Sequence, residues 1–266
     1  PQNVEVVNFD GSAAQGNTFH VDWDAASAEK GGFDTFMEKE IFDQPDAVRD
    51  TLLGRTDSEG RLALDEIRIS EDELKNIDRI TIVACGTAFY AGQIGRYAFE
   101  KLAGLPCDVE IASEFRYRSP AVSKSTLAVA VSQSGETADT LAALHYARGK
   151  VARTIGVVNV GTSAIARDAD IALPTLAGIE VGVASSKAFT CQLAVLAVLA
   201  VKAAHDRGRL TDAGLRAHLD DLRALPGLRG RPQPSLPASP DPLDAAAPWR
   251  LRGVCLRPRG QPRDGA

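Results

Sequence analysis

The sequence predicts an α/β fold: a doubly wound parallel sheet with helices on both of its faces. The first observation is that short runs of β-branched and other apolar residues alternate with helical segments from Ile80 onward. The second is that 44% of the 266 residues are hydrophobic, which suffices for a sizeable core. Because ligands of such sheets bind beyond the carboxyl ends of the strands, candidate functional residues are expected there.

Two segments of alternating apolar and polar residues open the chain, at 4–9 and 18–23. Together with the glycine-containing stretch between them, they predict a β-hairpin. The chain starts with Pro1, and a strand-like run follows almost directly. We therefore expect it to begin inside a longer polypeptide, with residues 1–23 as the end of a preceding domain.

A helical connector is predicted over residues 24–69. Residues 33–42 have helical periodicity, with their larger apolar side chains on one side. Pro45 is then expected to begin a second short helix, which Gly54 ends.

The predicted sheet belongs to a domain over residues 70–225. Its five strands are assigned to the short apolar runs 80–84, 108–111, 127–131, 154–159 and 171–173. Helices are predicted between them, over 88–103, over 136–148 and after Ser185. Thr211 is the expected N-cap of a last helix, which runs to Leu225.

Residues 226–266 follow neither the strand nor the helix periodicity. They hold nine of the 14 prolines, and such a composition buries too little surface to offset its ordering entropy. A disordered tail is therefore one interpretation. An abrupt change of composition is also typical of translation in a wrong reading frame, and the sequence leaves both interpretations open.

The overall composition favours small molecules as partners. A net charge of -5 at pH 7 and a pI near 5.5 imply no general attraction to nucleic acid or to an anionic membrane. The longest apolar run, 193–201, is half as long as a membrane span, and no targeting sequence is visible. We therefore expect a cytoplasmic protein that binds neither nucleic acid nor membrane.

Neither the four cysteines nor the four histidines show the spacing of a metal site. Three cysteines lie in apolar segments, where a free thiol packs as a small hydrophobe, and the histidines are expected at the surface. Gly86, Gly92 and Glu110 imitate a dinucleotide-binding motif only weakly, because the G-x-G-x-x-G pattern is missing. We expect no metal and no cofactor.

The strongest local signal is the run SQSGET at residues 132–137, which follows the third predicted strand and opens a helix. Three hydroxyls and a carboxamide thereby converge on a helix N-terminus; they belong to Ser132, Gln133, Ser134 and Thr137. Backbone N–H groups and the helix dipole favour an anion such as phosphate at that place. An ordinary helix cap, formed by Ser132 or Ser134, would use the same residue types, and the spacing leaves both interpretations open.

Two further strand ends carry polar residues. Thr87 lies in the turn after the first predicted strand, where its hydroxyl either contacts a ligand or caps the next helix. Ser185 and Ser186 precede the long apolar helix and have the same two interpretations. Lys187 is either a surface charge or part of a site.

Six motifs can be compared with known families: FMEKEI at 36–41, QP at 44–45, ACGT at 84–87, CDVEIASEFRYR at 107–118, SQSGETADT at 132–140 and GVASSKAFT at 182–190. In order and spacing they resemble the glutamine–fructose-6-phosphate aminotransferases. The resemblance implies a glutaminase domain that releases ammonia, followed by two sugar-isomerase (SIS) domains that make glucosamine 6-phosphate from fructose 6-phosphate. It identifies residues 70–225 as the first SIS domain and residues 1–23 as the end of the glutaminase domain.

The same resemblance assigns the candidate site. Its phosphate-binding positions match Ser132, Gln133, Ser134 and Thr137. Thr87 lies in a neighbouring binding loop, and Val183 and Ser185 match positions that touch the sugar. The family commonly has a serine where this chain has Ala88, and the loss of one hydrogen bond weakens binding by about 1 kcal/mol.

The resemblance places no catalytic residue in this chain. The nucleophilic Cys belongs to the glutaminase domain, and the isomerase Glu, the ring-opening His and a substrate-binding Lys belong to the second SIS domain. We therefore expect sugar-phosphate binding without catalysis, and a homodimer for the full-length enzyme. The alternative is the sugar-phosphate-sensing domain of a transcription regulator, which is disfavoured because no basic recognition helix precedes the domain.

Overall fold

The structure is a computed structural model that describes residues 5–14, 29–53, 55 and 69–230. The chain divides into two units, Pro1–Leu228 and Arg229–Ala266. The second unit and the predicted tail lie almost wholly outside the described residues.

A five-stranded parallel sheet forms the centre of the first unit, in the order β2-β1-β3-β4-β5. Its strands are β1 (Arg79–Ala84), β2 (Cys107–Ile111), β3 (Thr126–Ser132), β4 (Arg153–Val158) and β5 (Ile171–Pro174). Each agrees with a predicted strand to within one residue at either end. The predicted fold class is therefore confirmed.

Eight α-helices accompany these strands in the described part of the chain. They are α1 (Phe36–Leu52), α2 (Glu71–Asn76), α3 (Gly86–Ala98), α4 (Ala112–Arg118), α5 (Ala138–Ala147), α6 (Ala164–Asp168), α7 (Lys187–Asp206) and α8 (Asp212–Ala224). A π-helical turn, Phe99–Ala103, extends α3, and a 3₁₀ helix, Leu225–Gly230, follows α8. The hydroxyl of Thr211 accepts a hydrogen bond from the Gly214 N–H, as its predicted role of N-cap requires.

Successive residues of each central strand pack on opposite faces of the sheet. Ile82 and Val129 lie in one core with α3 and α7, whereas Val83 and Ala130 lie in another with α4, α5 and α6. Every residue of β3 is buried, because helices cover both faces.

The connector differs from its prediction, because α1 is one helix and contains Pro45 in its interior. A proline has no N–H to donate to the carbonyl four residues earlier, which normally ends a helix. Here the side-chain amide of Gln44 donates to that carbonyl, on Ile41, at 3.1 Å. The prediction of two separate helices was therefore wrong.

The first described residues form a tighter reversal than the predicted hairpin. Val7 pairs with Ala13 in an isolated antiparallel bridge, and the Ala14 N–H donates to the Val6 carbonyl at 2.9 Å. The turn therefore comes earlier than predicted. The second predicted strand, 18–23, lies outside the described residues.

The helix α7 is long and apolar enough to cross a membrane, judged by length and composition alone. However, 67% of its apolar stretch is buried within the protein, as in the core helix of a soluble domain. Cys191 of α7 and Cys107 of β2 are buried free thiols, and burial raises their pKa values to about 11 and about 12. Both therefore pack as small hydrophobes, as expected.

Candidate functional site

The carboxyl ends of β1 and β3 border a cavity of about 410 Å³. After β1 the chain crosses to β2, and after β3 it crosses to β4 on the other side, so the connections diverge here. Three segments line the cavity. They are the β1 turn (residues 85–88), the β3 wall (residues 131–134 and Thr137) and the α7 wall (residues 183–185 and Gln192).

All seven residues predicted from the sequence line this cavity: Thr87, Ser132, Gln133, Ser134, Thr137, Val183 and Ser185. The lining side chains are neutral. The sequence placed these residues at separate strand ends, and the structure brings them together at a point where doubly wound sheets bind ligands. Their part in ligand binding stays a prediction.

Hydrogen bonds within the loop after β3 hold the hydroxyls of the β3 wall. The Ser132 hydroxyl accepts from the Gly135 N–H at 3.0 Å, and it lies 3.0 Å from the Thr137 hydroxyl. The Ser134 hydroxyl accepts from the Glu136 N–H at 3.2 Å. The loop therefore fixes these oxygens at the carboxyl end of β3 without any ligand.

The helix α5 begins at Ala138, two residues after its predicted start. Thr137 occupies the N-cap position, but its side chain makes no capping hydrogen bond. Neither Ser132 nor Ser134 caps this helix, so the interpretation of the run as an ordinary helix cap is wrong. A helix N-terminus without a side-chain cap, and with its partial positive charge, borders the cavity instead.

Gly135 has a left-handed backbone, with φ of 67°, and is packed against the start of α6. A Cβ atom at this position would lie 2.0 Å from Oγ of Ser163. On the same side, Oε1 of Glu136 accepts a hydrogen bond from the Ala164 N–H at 2.8 Å. The close neighbour that requires a glycine at position 135 is therefore Ser163, at the start of α6.

The β1 turn brings a second helix N-terminus to the cavity. α3 begins at Gly86, whose φ of 58° suits glycine, and the preceding Cys85 makes no side-chain capping bond. Thr87 lies inside the first turn of the helix, so it is not the N-cap residue that one interpretation made it. Ala88, at the position where the resemblance leads us to expect a serine, lines the cavity and is buried.

The α7 wall is anchored by the connector helix α1. The carboxylate of Glu40 is buried and accepts hydrogen bonds from the N–H groups of Val181 at 2.5 Å and Gly182 at 3.0 Å. These two residues directly precede Val183 of the α7 wall. The connector thus fixes one border of the cavity.

The start of α7 is capped by a carboxylate from the preceding loop. Oε1 of Glu180 accepts from the N–H groups of Ser186 at 3.0 Å and Ala188 at 3.2 Å. Ser186 makes no side-chain capping bond, so the interpretation of Ser185 or Ser186 as the capping side chain is wrong.

Three buried side-chain oxygens in this region have no hydrogen-bond partner within the described part of the chain: Ser185 Oγ, Ser186 Oγ and Gln192 Oε1. Sequence analysis missed Gln192, although it is the one carboxamide within an otherwise apolar stretch of α7. Buried polar atoms are normally paired, so unpaired ones at a cavity indicate a place for a ligand or for water.

Lys187 does not line the cavity. Its ammonium group is buried and forms an ion pair of 3.2 Å with Asp43 of α1. Burial acts to raise the pKa of Asp43, but hydrogen bonds from Lys39 and Lys187 outweigh it and leave this pKa below its usual value. Lys187 therefore joins α7 to the connector.

The residues that weakly imitate a dinucleotide-binding motif contact other parts of the protein. A Cβ on Gly92 would lie 2.9 Å from the Ile82 side chain, so this glycine allows α3 to pack closely on β1. Glu110 pairs with Arg118 at 2.6 Å. Among the described residues, no cluster of His, Cys, Asp and Glu could hold a metal ion.

Substitution of Gly135 by alanine tests how tightly the β3 wall is built. An alanine at this φ costs about 1–2 kcal/mol, and its Cβ would collide with Ser163. We expect Gly135→Ala to lower the free energy of unfolding by about 3 kcal/mol or more, measured by urea denaturation.

The matched control is Gly149→Ala, where φ is 75° and no other atom lies within 4 Å of the added Cβ. This variant should lose only the backbone contribution of about 1–2 kcal/mol. If the free energy of unfolding fell by the same amount in both variants, a steric requirement for Gly135 would be contradicted.

The family model of the SIS domain matches residues 73–202. The chain is 52% identical to the glutamine–fructose-6-phosphate aminotransferase (isomerizing) of Corynebacterium glutamicum and 53% identical to that of Streptomyces coelicolor, over 83% and 84% of its length. It spans 36% of each relative. A solved structure, the C-terminal domain of glucosamine-fructose-6-phosphate aminotransferase from Francisella tularensis, is 40% identical, with a TM-score of 0.72 over 75% of this chain and 56% of that one. The chain contains a SIS domain and belongs, along 83% of its length, to the family of the glutamine–fructose-6-phosphate aminotransferases.

Proposed function

We propose that this chain binds fructose 6-phosphate in the cavity between β1 and β3, as the sugar-phosphate-binding part of a larger enzyme. That enzyme makes glucosamine 6-phosphate with ammonia from glutamine, the first step of hexosamine synthesis. Its product should bind in the same cavity. The proposal is supported by the names of the relatives, of whose length this chain spans 36%.

The observation that carries the proposal is the meeting of two helix N-termini and several hydroxyls around one neutral cavity. A phosphate dianion only accepts hydrogen bonds, so it needs N–H and O–H donors. Hydroxyls can rotate to donate to it, and the partial positive charges of α3 and α5 stabilise its charge without lysine or arginine.

We assign the phosphate to the β3 wall and the sugar to the α7 wall. The four residues of the predicted phosphate site are Ser132, Gln133, Ser134 and Thr137. Val183 and Ser185 offer an apolar surface and a hydroxyl, which suit the carbon skeleton and the hydroxyls of a sugar. Thr87 lies in the β1 turn, and we assign it to the ligand without a choice between the phosphate and the sugar.

The cavity supplies positioning rather than proton transfer. Interconversion of a ketose and an aldose requires a base that moves a proton between C1 and C2, and the lining side chains are neutral. We propose that the catalytic groups come from other parts of a cytoplasmic, homodimeric enzyme. The boundaries predicted at residues 23, 69 and 225 are likewise proposed as its domain limits.

The purified chain, supplied with fructose 6-phosphate and ammonia, should therefore form no glucosamine 6-phosphate. The measurement is detection of the product by mass spectrometry after long incubation. Glucosamine 6-phosphate above the level of a protein-free control would contradict the proposal that the catalytic groups come from other parts of the enzyme.

Binding itself is tested by calorimetric titration and thermal shift of the full chain with fructose 6-phosphate and with fructose. Only the phosphorylated sugar should bind. The double variant Ser134→Ala, Thr137→Ala should bind it about a hundredfold more weakly, because two hydrogen bonds to a charged group are lost.

A matched control removes two hydroxyls from the opposite end of β3. Ser123→Ala, Ser125→Ala alters side chains that bond to each other at 2.9 Å before the strand begins. It should leave the affinity for fructose 6-phosphate unchanged. If a folded wild-type chain shows no phosphate-dependent binding, the proposed function is wrong for this chain.

A substitution at Ala88 should strengthen the binding of fructose 6-phosphate instead of weakening it. Ala88→Ser would add a hydroxyl at a cavity-lining position in the first turn of α3. One new hydrogen bond is worth about 1 kcal/mol, so affinity for fructose 6-phosphate should rise about fivefold in the same titration. A loss of affinity would show that residue 88 has no room for a ligand contact.

A further inference from the structure

Gln192 presents an unpaired polar group to the cavity. The residue is 1% exposed, its carboxamide oxygen has no hydrogen-bond partner within the described residues, and it belongs to the cavity lining. A buried acceptor without a partner costs free energy in the unbound protein. A stretch of α7 that is otherwise apolar thus carries one buried acceptor that a ligand or a water has to satisfy.

The position of Gln192 in the α7 wall restricts what it can bind. Its neighbour in that wall, Ser185, also has an unpaired buried oxygen, whereas the hydroxyls of Ser132 and Ser134 are held by the loop after β3. An amide oxygen accepts hydrogen bonds and does not donate them. Among the groups of a sugar phosphate, a sugar hydroxyl is such a donor, whereas the phosphate dianion offers none.

We infer that Gln192 determines specificity: its carboxamide accepts a hydrogen bond from a hydroxyl of the bound sugar phosphate. The inference rests on the proposed function and adds a residue on the sugar side of the cavity. A ligand without that hydroxyl leaves the acceptor buried and unpaired, which is how a polar site rejects an analogue. Gln192 thus distinguishes a sugar phosphate from phosphate alone.

The substitution Gln192→Met tests this inference, because methionine has a similar length and no strong acceptor. The full chain is titrated with fructose 6-phosphate and with inorganic phosphate, and its melting temperature is measured without ligand. Affinity for fructose 6-phosphate should fall about tenfold, while affinity for inorganic phosphate stays the same. The melting temperature should stay equal or rise, because an unpaired polar group is removed.

A neighbouring substitution on α7, Thr190→Val, should give the opposite pattern. The Thr190 hydroxyl donates to Oε1 of Gln44 at 2.6 Å and does not line the cavity. Its removal should lower the melting temperature and leave both affinities unchanged. Together the two variants distinguish a side chain that binds the ligand, Gln192, from one that stabilises the fold, Thr190.

Three results would overturn the inference alone: a lower melting temperature with unchanged affinities for Gln192→Met, an equal loss of affinity for both ligands, or failure of both Gln192→Met and Gln192→Leu to fold. Each would make Gln192 part of the protein's own packing or of the phosphate site. If the unsubstituted chain binds neither ligand, the proposed function fails, and this inference fails with it.

Discussion

The pairing of β1 with both β2 and β3 is the constraint on which the candidate site depends. The last residue of β1, Ala84, lies beside Ile111 on one side and Val131 on the other. Parallel strands need crossover connections, so the segments that leave β1 and β3 must run in opposite directions along the sheet. A crevice opens between them, and the N-termini of α3 and α5 border it. The polar residues after these two strands lie close together because β1 and β3 are adjacent and parallel, so their carboxyl ends are side by side.

Much of this could be predicted from the sequence, because the decisive signals are local. β-branched runs marked all five strands, and the SQSGET run marked the β3 wall. The short helices α4 and α6 were missed because helices of five to seven residues show less than two turns of periodicity. α2 was missed although Ser70 and Glu73 form a capping box, a signature that can be recognised in the sequence.

The misassigned features depend on contacts between distant residues. A proline normally ends a helix, but in α1 the side chain of Gln44 donates to the Ile41 carbonyl that the Pro45 nitrogen cannot reach with a hydrogen bond. The α7 wall likewise depends on Glu40, which lies more than 140 positions away in the chain. Gln192 was overlooked for a related reason: in the sequence it is a single polar residue in an apolar helix. Its significance comes from the cavity that other segments build around it.

The walls of the cavity differ in how they are prepared for a ligand. In the β3 wall, loop hydrogen bonds already fix the hydroxyls of Ser132 and Ser134, so little conformational entropy remains to be lost when an anion binds. In the α7 wall, the oxygens of Ser185 and Gln192 are buried but unpaired, so they gain hydrogen bonds when a ligand supplies a donor for the amide oxygen and a donor or an acceptor for the hydroxyl. Under the proposed function, the ordered hydroxyls of the β3 wall would hold any phosphate, whereas the unpaired oxygens of the α7 wall would favour a ligand with hydroxyls at matching positions. The division follows from the fold, because one wall is a local turn after a strand and the other is held in place by the connector helix.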